Sequence, residues 1–410
     1  SILPRHQGRS PTGRPGAGAS MKIALVHDWL TGMRGGERCL EVFAELLPRA
    51  PILTLFHERG AVSPLIEGRS IAVSPLSRIA PLRRRYRSLL PLFPWAIETL
   101  PGRDQDLLIS LSHCAAKAIP KREGARHICY CFTPARYLWD LTEAYLDPRR
   151  TSLAVRIAAR ALLPELKGWD RATSTRVDRF IAISRFVAER IRRIYGRESE
   201  VIYPPVEARR FAFAPPWEIE RHYLMVSALA PYKGVDLAIR AFNRWRRPLR
   251  IIGKGPLERR LRAIAGDTIE FLGWLDDREV AREYARCRAF ILPCEEDFGI
   301  TPLEAMAAGR PVIALGRGGA LETVRPAAAD GEATGLFFEE PEVDSLIAAL
   351  ERLEGELDRY DPDALRRRAL EFDSSIFRAR IRSLLVEEGA MGGQQSVEGL
   401  PAAGAERGSF

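Results

Sequence analysis

Two glutamates with seven residues between them, Glu296 and Glu304, bracket a turn that contains Phe298, Gly299, Ile300 and Thr301. The turn follows an apolar run, Phe290 to Pro293, that reads as a short buried strand. It ends in helix-starting chemistry, with Thr301 as N-cap, Pro302 at the first helical position and Glu304 in the first turn. That helix stops at Gly309. A second strand, Pro311 to Leu315, a glycine turn, Gly316 to Gly319, and a helix starting near Leu321 and Glu322 come next. Two strand-to-helix turns side by side in a parallel sheet offer free N–H groups and positive helix ends, which suit a phosphorylated ligand. A carboxylate there repels phosphate but accepts hydrogen bonds from hydroxyls, such as those on both sides of a nucleotide sugar's diphosphate. Thr301-x-x-Glu304 is equally a capping box, which needs no ligand, and the residue types leave both readings of Glu304 open.

Lys233 is the cation to set against these acids. It lies in the loop Ala228 to Gly234, after the strand Tyr223 to Ser227 and before a helix spanning Val235 to Trp245. Most exposed lysines are only solvated, but one beside glycine at such a turn can neutralise a diphosphate. Two further strands end in glycine turns on the same side, Gly253 and Gly255 after Leu249–Ile252, and Gly273 after Ile269–Leu272.

The amino-terminal half repeats the plan. Lys22 to His27 is an apolar run typical of a strand buried on both faces, followed by a loop with Gly35 and Gly36 and then a helix. Glycine lets a ligand approach the backbone there. Strands then alternate with helices, at residues 52–56, 107–110, 127–131 and 180–184, as in an open parallel sheet. Ligands of such sheets sit beyond the carboxyl ends of the strands. His113 and Arg136 follow two of those ends, although a lone histidine is more often structural.

The segment Glu296 to Gly319, with its Glu-x7-Glu, Phe298-Gly299, Gly309 and Gly318-Gly319, closely resembles the donor-binding signature of family 4 of the retaining GT-B glycosyltransferases (glycosyl transferase group 1). The Gly35-Gly36-Glu37 loop resembles that family's Gly-Gly-x-Glu loop with one residue fewer, and Lys233-Gly234 its Lys-Gly. The resemblance covers about residues 21 to 388. It implies an α/β GT-B fold, two Rossmann-like domains whose parallel sheets face each other across a cleft. It further implies that Glu304 holds the ribose hydroxyls and Glu296 a sugar hydroxyl, that Lys233 offsets charge on the departing diphosphate, and that His113 lies against the transferred sugar. On this reading Lys233, Glu296 and His113 are catalytic. Glu304, Phe298, Gly299, Ile300, Thr301, Gly253 and Gly255 bind the donor, while Gly35, Gly36 and Arg136 face the sugar and acceptor. The departing phosphate deprotonates the acceptor, so neither an enzyme nucleophile nor a cofactor is required. Cationic side chains replace a metal, and no Asp-x-Asp stands at a strand end. One departure is clear: the family's usual arginine five residues before the lysine is Ala228 here, with Arg136, Arg317 or Lys254 as substitutes. The segments 27–32 and 131–140 resemble those of bacterial polysaccharide mannosyltransferases, which makes GDP-mannose the first expectation for the donor. A GT-B-type nucleotide-sugar epimerase and a catalytically silent lipid-carrier-binding partner are the rival readings.

The 410 residues suffice for two α/β domains, and no run approaches eighteen apolar residues. The expected division is a disordered leader over 1–20, an acceptor-binding domain over 21–206, a linker over 207–220 and a nucleotide-sugar domain over 221–374. A helix over 375–388 is expected to cross back to the first domain, followed by a disordered tail over 389–410. The six cysteines show no zinc spacing and read as free thiols of a cytoplasmic protein. A net charge of +9 asks for an acidic partner, and no nucleic-acid module is recognisable. Arg83, Arg84, Arg85 and Arg87 beside Trp95 suit an anionic membrane surface on the cytoplasmic side, and with it a lipid-linked acceptor. A solvated basic helix would look the same.

Overall fold

The computed structural model describes residues 21–79, 86–146, 152–327 and 332–392. Its chain forms two parallel sheets. The first comprises β1 (Ile23–Leu30), β2 (Ile52–His57), β3 (Ile71–Val73), β4 (Leu107–Ser112), β5 (Arg126–Cys131), β6 (Arg179–Ala182) and β7 (Ser199–Val201) in the order β3-β2-β1-β4-β5-β6-β7. The second comprises β8 (Tyr223–Val226), β9 (Leu249–Ile252), β10 (Ile269–Gly273), β11 (Phe290–Leu292), β12 (Val312–Leu315) and β13 (Gly335–Phe338) in the order β10-β9-β8-β11-β12-β13.

The central strands are buried throughout, as continuous apolar runs require when helices cover both faces. The sequence pattern did not reveal β3, β7 and β13. All three lie at sheet edges and have three or four residues, too few to establish a period.

Strand order reverses between β1 and β4 in one sheet and between β8 and β11 in the other. At such a reversal the connections leave in opposite directions and a crevice opens beyond the strand ends. Leu25 pairs with Ile109 across the first reversal, and Leu224 with Phe290 across the second. The loops carrying Gly35, His113, Lys233 and Glu296 therefore all leave from these two crevices.

The stretch over 207–220, expected as the interdomain linker, contains 3-10 turns at Ala208–Arg210 and Pro216–Glu218. Phe211 is buried there with its ring 5.6 Å from that of Tyr284. The helix Ser374–Glu387 then packs on the first domain, with Phe377 5.6 Å from Tyr130 and 6.2 Å from Phe43, ring to ring. The two passages between domains run together: Val206 N–H donates to Phe372 O at 3.2 Å, and Ser374 N–H to Val206 O at 2.9 Å. All six cysteines are buried and free. Among the described residues no helix is long and apolar enough to cross a membrane.

Candidate functional site

After β11 the chain reverses at Gly299, whose φ of 93° is a left-handed conformation open to glycine. Gly299, not Thr301, is the residue before the helix Ile300–Ala307, and Pro302 is its third residue. The expected capping box is therefore not made, and the Glu304 carboxylate serves elsewhere. It accepts a 3.0 Å hydrogen bond from the Tyr284 hydroxyl, and an Arg210 nitrogen lies 3.9 Å away. Burial pushes its pKa up to about 7 although Tyr284 and Arg210 both act in the opposite direction.

Glu296 turns the other way and forms an ion pair with Lys233. The loops bearing them interlock: Gly234 has a φ of 63°, and a Cβ on it would lie 2.4 Å from Pro293 O. Burial penalises both charges, but each offsets the penalty of the other. The Lys233 pKa is raised and that of Glu296 lowered. The second glycine turn supports the first rather than opening a site of its own. Gly319 N–H donates to Glu296 O at 2.8 Å, and a Cβ on Gly319 would fall 2.4 Å from Phe298 Cα.

The amino-terminal wall is organised by Asp28, fully buried two residues before the end of β1. Its carboxylate accepts backbone N–H groups of His113 at 2.7 Å, Ala115 at 2.6 Å and Ala116 at 2.7 Å. It also lies 3.0 Å from Nδ1 of His113, while the Trp29 ring meets the imidazole edge-on at 4.4 Å. Burial would raise the Asp28 pKa, but His113 holds it down to about 2. Burial likewise disfavours the imidazolium of His113, and the Asp28 carboxylate outweighs it, so that pKa is raised. Sequence reasoning gave Asp28 no role; an acid directly after an apolar strand at the reversal point was the available signal.

Between the walls lies a cavity of 380 Å³. The second domain contributes Lys233, Glu296, Phe298, Gly299, Ile300 and Thr301, and the first contributes Gly35, Gly36 and His113. The two helix starts nearly touch, since a Cβ on Gly35 would be 3.1 Å from Ile300 Cδ1.

Four expected site residues lie outside this lining. Glu304 sits one helical turn beyond Ile300. Gly253 and Gly255 are needed for loop packing, because Cβ atoms there would be 1.9 Å from Ser227 O and 2.5 Å from Leu229 O. Arg136 is taken up by Asp297 at 3.3 Å and Glu295 at 4.0 Å. Asp297, which the sequence reading passed over, also binds Arg190 at 2.7 Å and so links the domains. Of the other substitutes for an arginine at 228, Lys254 is exposed and Arg317 pairs with Glu340 at 2.8 Å; neither reaches the cavity. Among the described residues no cluster of three His, Cys, Asp or Glu side chains could hold a metal ion.

The basic surface expectation falls partly outside what is described, which excludes Arg83, Arg84 and Arg85 and the side chain of Arg87. Trp95 is 54% exposed. The helix Leu153–Thr173 leaves Leu153, Val155 and Ile157 exposed.

Residues 220–355 match the family model described as "Glycosyl transferases group 1". The chain is 32% identical over 220 residues to the GDP-mannose-dependent monoacylated alpha-(1-6)-phosphatidylinositol monomannoside mannosyltransferase of Corynebacterium glutamicum, covering 46% of this chain and 56% of that one. It is 30% identical over 220 residues, with the same coverage, to the GDP-mannose-dependent alpha-(1-6)-phosphatidylinositol monomannoside mannosyltransferase of Mycolicibacterium smegmatis. The aligned part is thus little more than half of these relatives' length. Among solved structures, HepE of Anabaena in complex with UDP and glucose superposes with a TM-score of 0.65 at 20% identity, over 89% of this chain and 99% of that one. WaaG, a glycosyltransferase involved in lipopolysaccharide biosynthesis, does so with a TM-score of 0.61 at 16% identity, over 88% and 99%. The two facing parallel sheets are those of the GT-B fold, and the match to the glycosyl transferases group 1 family model lies within the second domain, over residues 220–355.

Proposed function

We propose that the protein is a retaining glycosyltransferase that moves a hexose, in the first instance mannose from GDP-mannose, to a glycan or lipid-linked acceptor in cell-surface polysaccharide synthesis. The observation that carries the reading is the convergence of Lys233, Glu296, His113 and the start of the helix Ile300–Ala307 on one cavity between the two domains. The sugar C1–O bond breaks with its electron pair leaving on the distal phosphate oxygen. The acceptor oxygen bonds to C1 from the same face, and its proton passes to that phosphate. Lys233 and the N–H groups of Ile300 and Thr301 stabilise the growing charge, which is how a preorganised site lowers such a barrier. Glu296 accepts from a sugar hydroxyl, His113 lies against the sugar, and Glu304 takes the ribose hydroxyls. No metal enters this scheme. The GDP-mannose-dependent relatives support the choice of donor.

The acceptor side carries a further expectation, cytoplasmic work at an anionic membrane surface, for which the exposed Trp95, Leu153, Val155 and Ile157 are the support. Incubation with GDP-mannose, UDP-glucose and UDP-galactose, with mass detection of released nucleotide and of any isomerised donor, tests the proposal. Release of GDP from GDP-mannose is the expected result. Preference for a UDP-sugar would overturn the donor, an isomerised donor the transfer, and inertness towards every nucleotide sugar the enzyme itself. Sedimentation with phosphatidylglycerol vesicles tests the surface, and failure to co-sediment would remove it.

A further inference from the structure

Charged side chains line the cavity from both walls, Lys233, Glu296 and Asp297 on the second domain and Arg34 and Glu37 on the first. Lys233, on the second domain, is already neutralised by Glu296. Arg136 is held by Asp297 and Glu295 and does not line the cavity. Position 228 holds alanine. One other cation among the described residues lines the cavity, Arg34 of the first domain. Its side chain is exposed, and among the described residues it forms no ion pair, whereas the nearby Arg38 is paired with Glu41 and Asp277. The Glu37 carboxylate accepts from Arg34 backbone N–H at 3.1 Å, which anchors the main chain and leaves the guanidinium out of the bond.

Arg34 stands immediately before the helix Gly35–Leu46, and Gly35 abuts Ile300 at the start of the opposing helix. Two helix N-termini, each worth roughly half a positive charge, thus meet tip to tip beside an arginine and a lysine. The carboxylates of Glu37 and Glu296 line the same cavity, and each is engaged there, Glu37 by the Arg34 backbone N–H and Glu296 by Lys233. The positive charge of Arg34 also reaches His113, where it opposes protonation.

We infer that Arg34 is the second cation on the donor's diphosphate. It grips from the amino-terminal domain the phosphate charge that Lys233, from the carboxy-terminal domain, leaves unmet. The inference rests on the proposed binding of a nucleotide sugar in this cavity and adds a residue from the opposite wall. A guanidinium suits the task because its planar fork meets phosphate oxygens in pairs. The arrangement also makes the diphosphate a tie between domains, since its two cations come from different sheets.

Calorimetric titration of the full chain with GDP, GMP, UDP and UMP tests it, comparing wild type with Arg34→Ala and Arg34→Lys. Arg34→Ala is expected to weaken binding of the preferred diphosphate about 10- to 100-fold, as loss of a charged hydrogen bond does, while the matching monophosphate changes less than about twofold. Arg34→Lys keeps the charge without the fork and falls between. Equal diphosphate affinity in wild type and Arg34→Ala would overturn the role of Arg34 while leaving the transferase reading intact. Equal losses for mono- and diphosphate would overturn it too, because the arginine would then be serving the nucleoside. Wild type that binds neither diphosphate would instead defeat the reading beneath it. Arg34 is exposed, so unchanged melting temperatures are expected to accompany these results.

Discussion

Glu296 and Glu304 stand at either end of one turn, both partly buried, yet their electrostatics are opposite. Glu296 faces an ammonium group and is held ionised. Glu304 has a phenol and a distant guanidinium, which do not repay its desolvation, and its pKa is driven to about 7. Asp28 completes the series, with three backbone donors and an imidazole holding a fully buried carboxylate at about 2. What separates these acids is the number and charge of the donors they meet. The site keeps its fixed anions fully satisfied and leaves Glu304 short, as a group awaiting hydroxyl donors from a ligand would be.

The comparison can be broken most forcefully at Lys233. Lys233→Ala should lower nucleotide release from the preferred donor by about 10²–10³-fold, the range seen when one stabilising donor is removed from a developing oxyanion. It also strands Glu296, and thermal melting should register a loss of about 3 kcal/mol or more. Asp28→Asn comes next. Loss of the charge that orders the His113 loop should cost about 2 kcal/mol in urea unfolding. The His113 pKa, raised by Asp28, should fall in the variant, so proton NMR should find its imidazolium lost at lower pH than in wild type. An unmoved titration would show that Asp28 does not govern His113.

A third test uses pH. A carboxyl at about 7 when folded and near 4.5 when unfolded binds its proton more tightly in the folded state. Its contribution to stability is therefore unaffected below about 4.5, declines as pH rises, and is at its lowest above about 7. Glu304→Gln abolishes that decline, so the stability of the variant relative to wild type should grow by about 3 kcal/mol from pH 4.5 to above pH 7. Ligand binding should run the other way. If the ribose diol donates to the carboxylate, affinity for the nucleoside diphosphate rises with pH through about 7 in wild type and stays flat in Glu304→Gln. The smallest effect belongs to Tyr284→Phe, which removes a single hydrogen bond and should cost about 1 kcal/mol at pH 8 in urea unfolding while sparing transfer chemistry.

Much of this was legible in the residues. Continuous apolar runs ending in glycine turns marked the central strands, and the Glu296–Gly319 segment, with Lys233, marked one wall of the cavity. Short edge strands were not legible, because three residues carry no period. The helix start was misread because Gly299 can adopt a backbone conformation that moves it two residues earlier, to Ile300, which a Thr-x-x-Glu pattern does not register. Gly253 and Gly255, expected at the donor, stand where neighbouring loops leave no room for a side chain, a packing demand the residue pattern alone does not display. Asp297, Asp28 and Arg34 escaped because their partners lie 80 or more residues away, or, for Arg34, because a vacancy at Ala228 has meaning only beside the opposite wall.

The paired crossings at Val206 and Phe372–Ser374 have a mechanical consequence. Two adjacent pins on one edge leave a door a single axis of swing, so the halves of this molecule are restrained from sliding or twisting past each other. The Asp297–Arg190 pair is joined by further ties across the seam, Ser184 Oγ–H to Asp297 O at 2.6 Å and the N–H groups of Arg185 and Phe186 to the Glu322 carboxylate at 2.9 and 2.8 Å, so the hinge edge is not the sole restraint on the two halves.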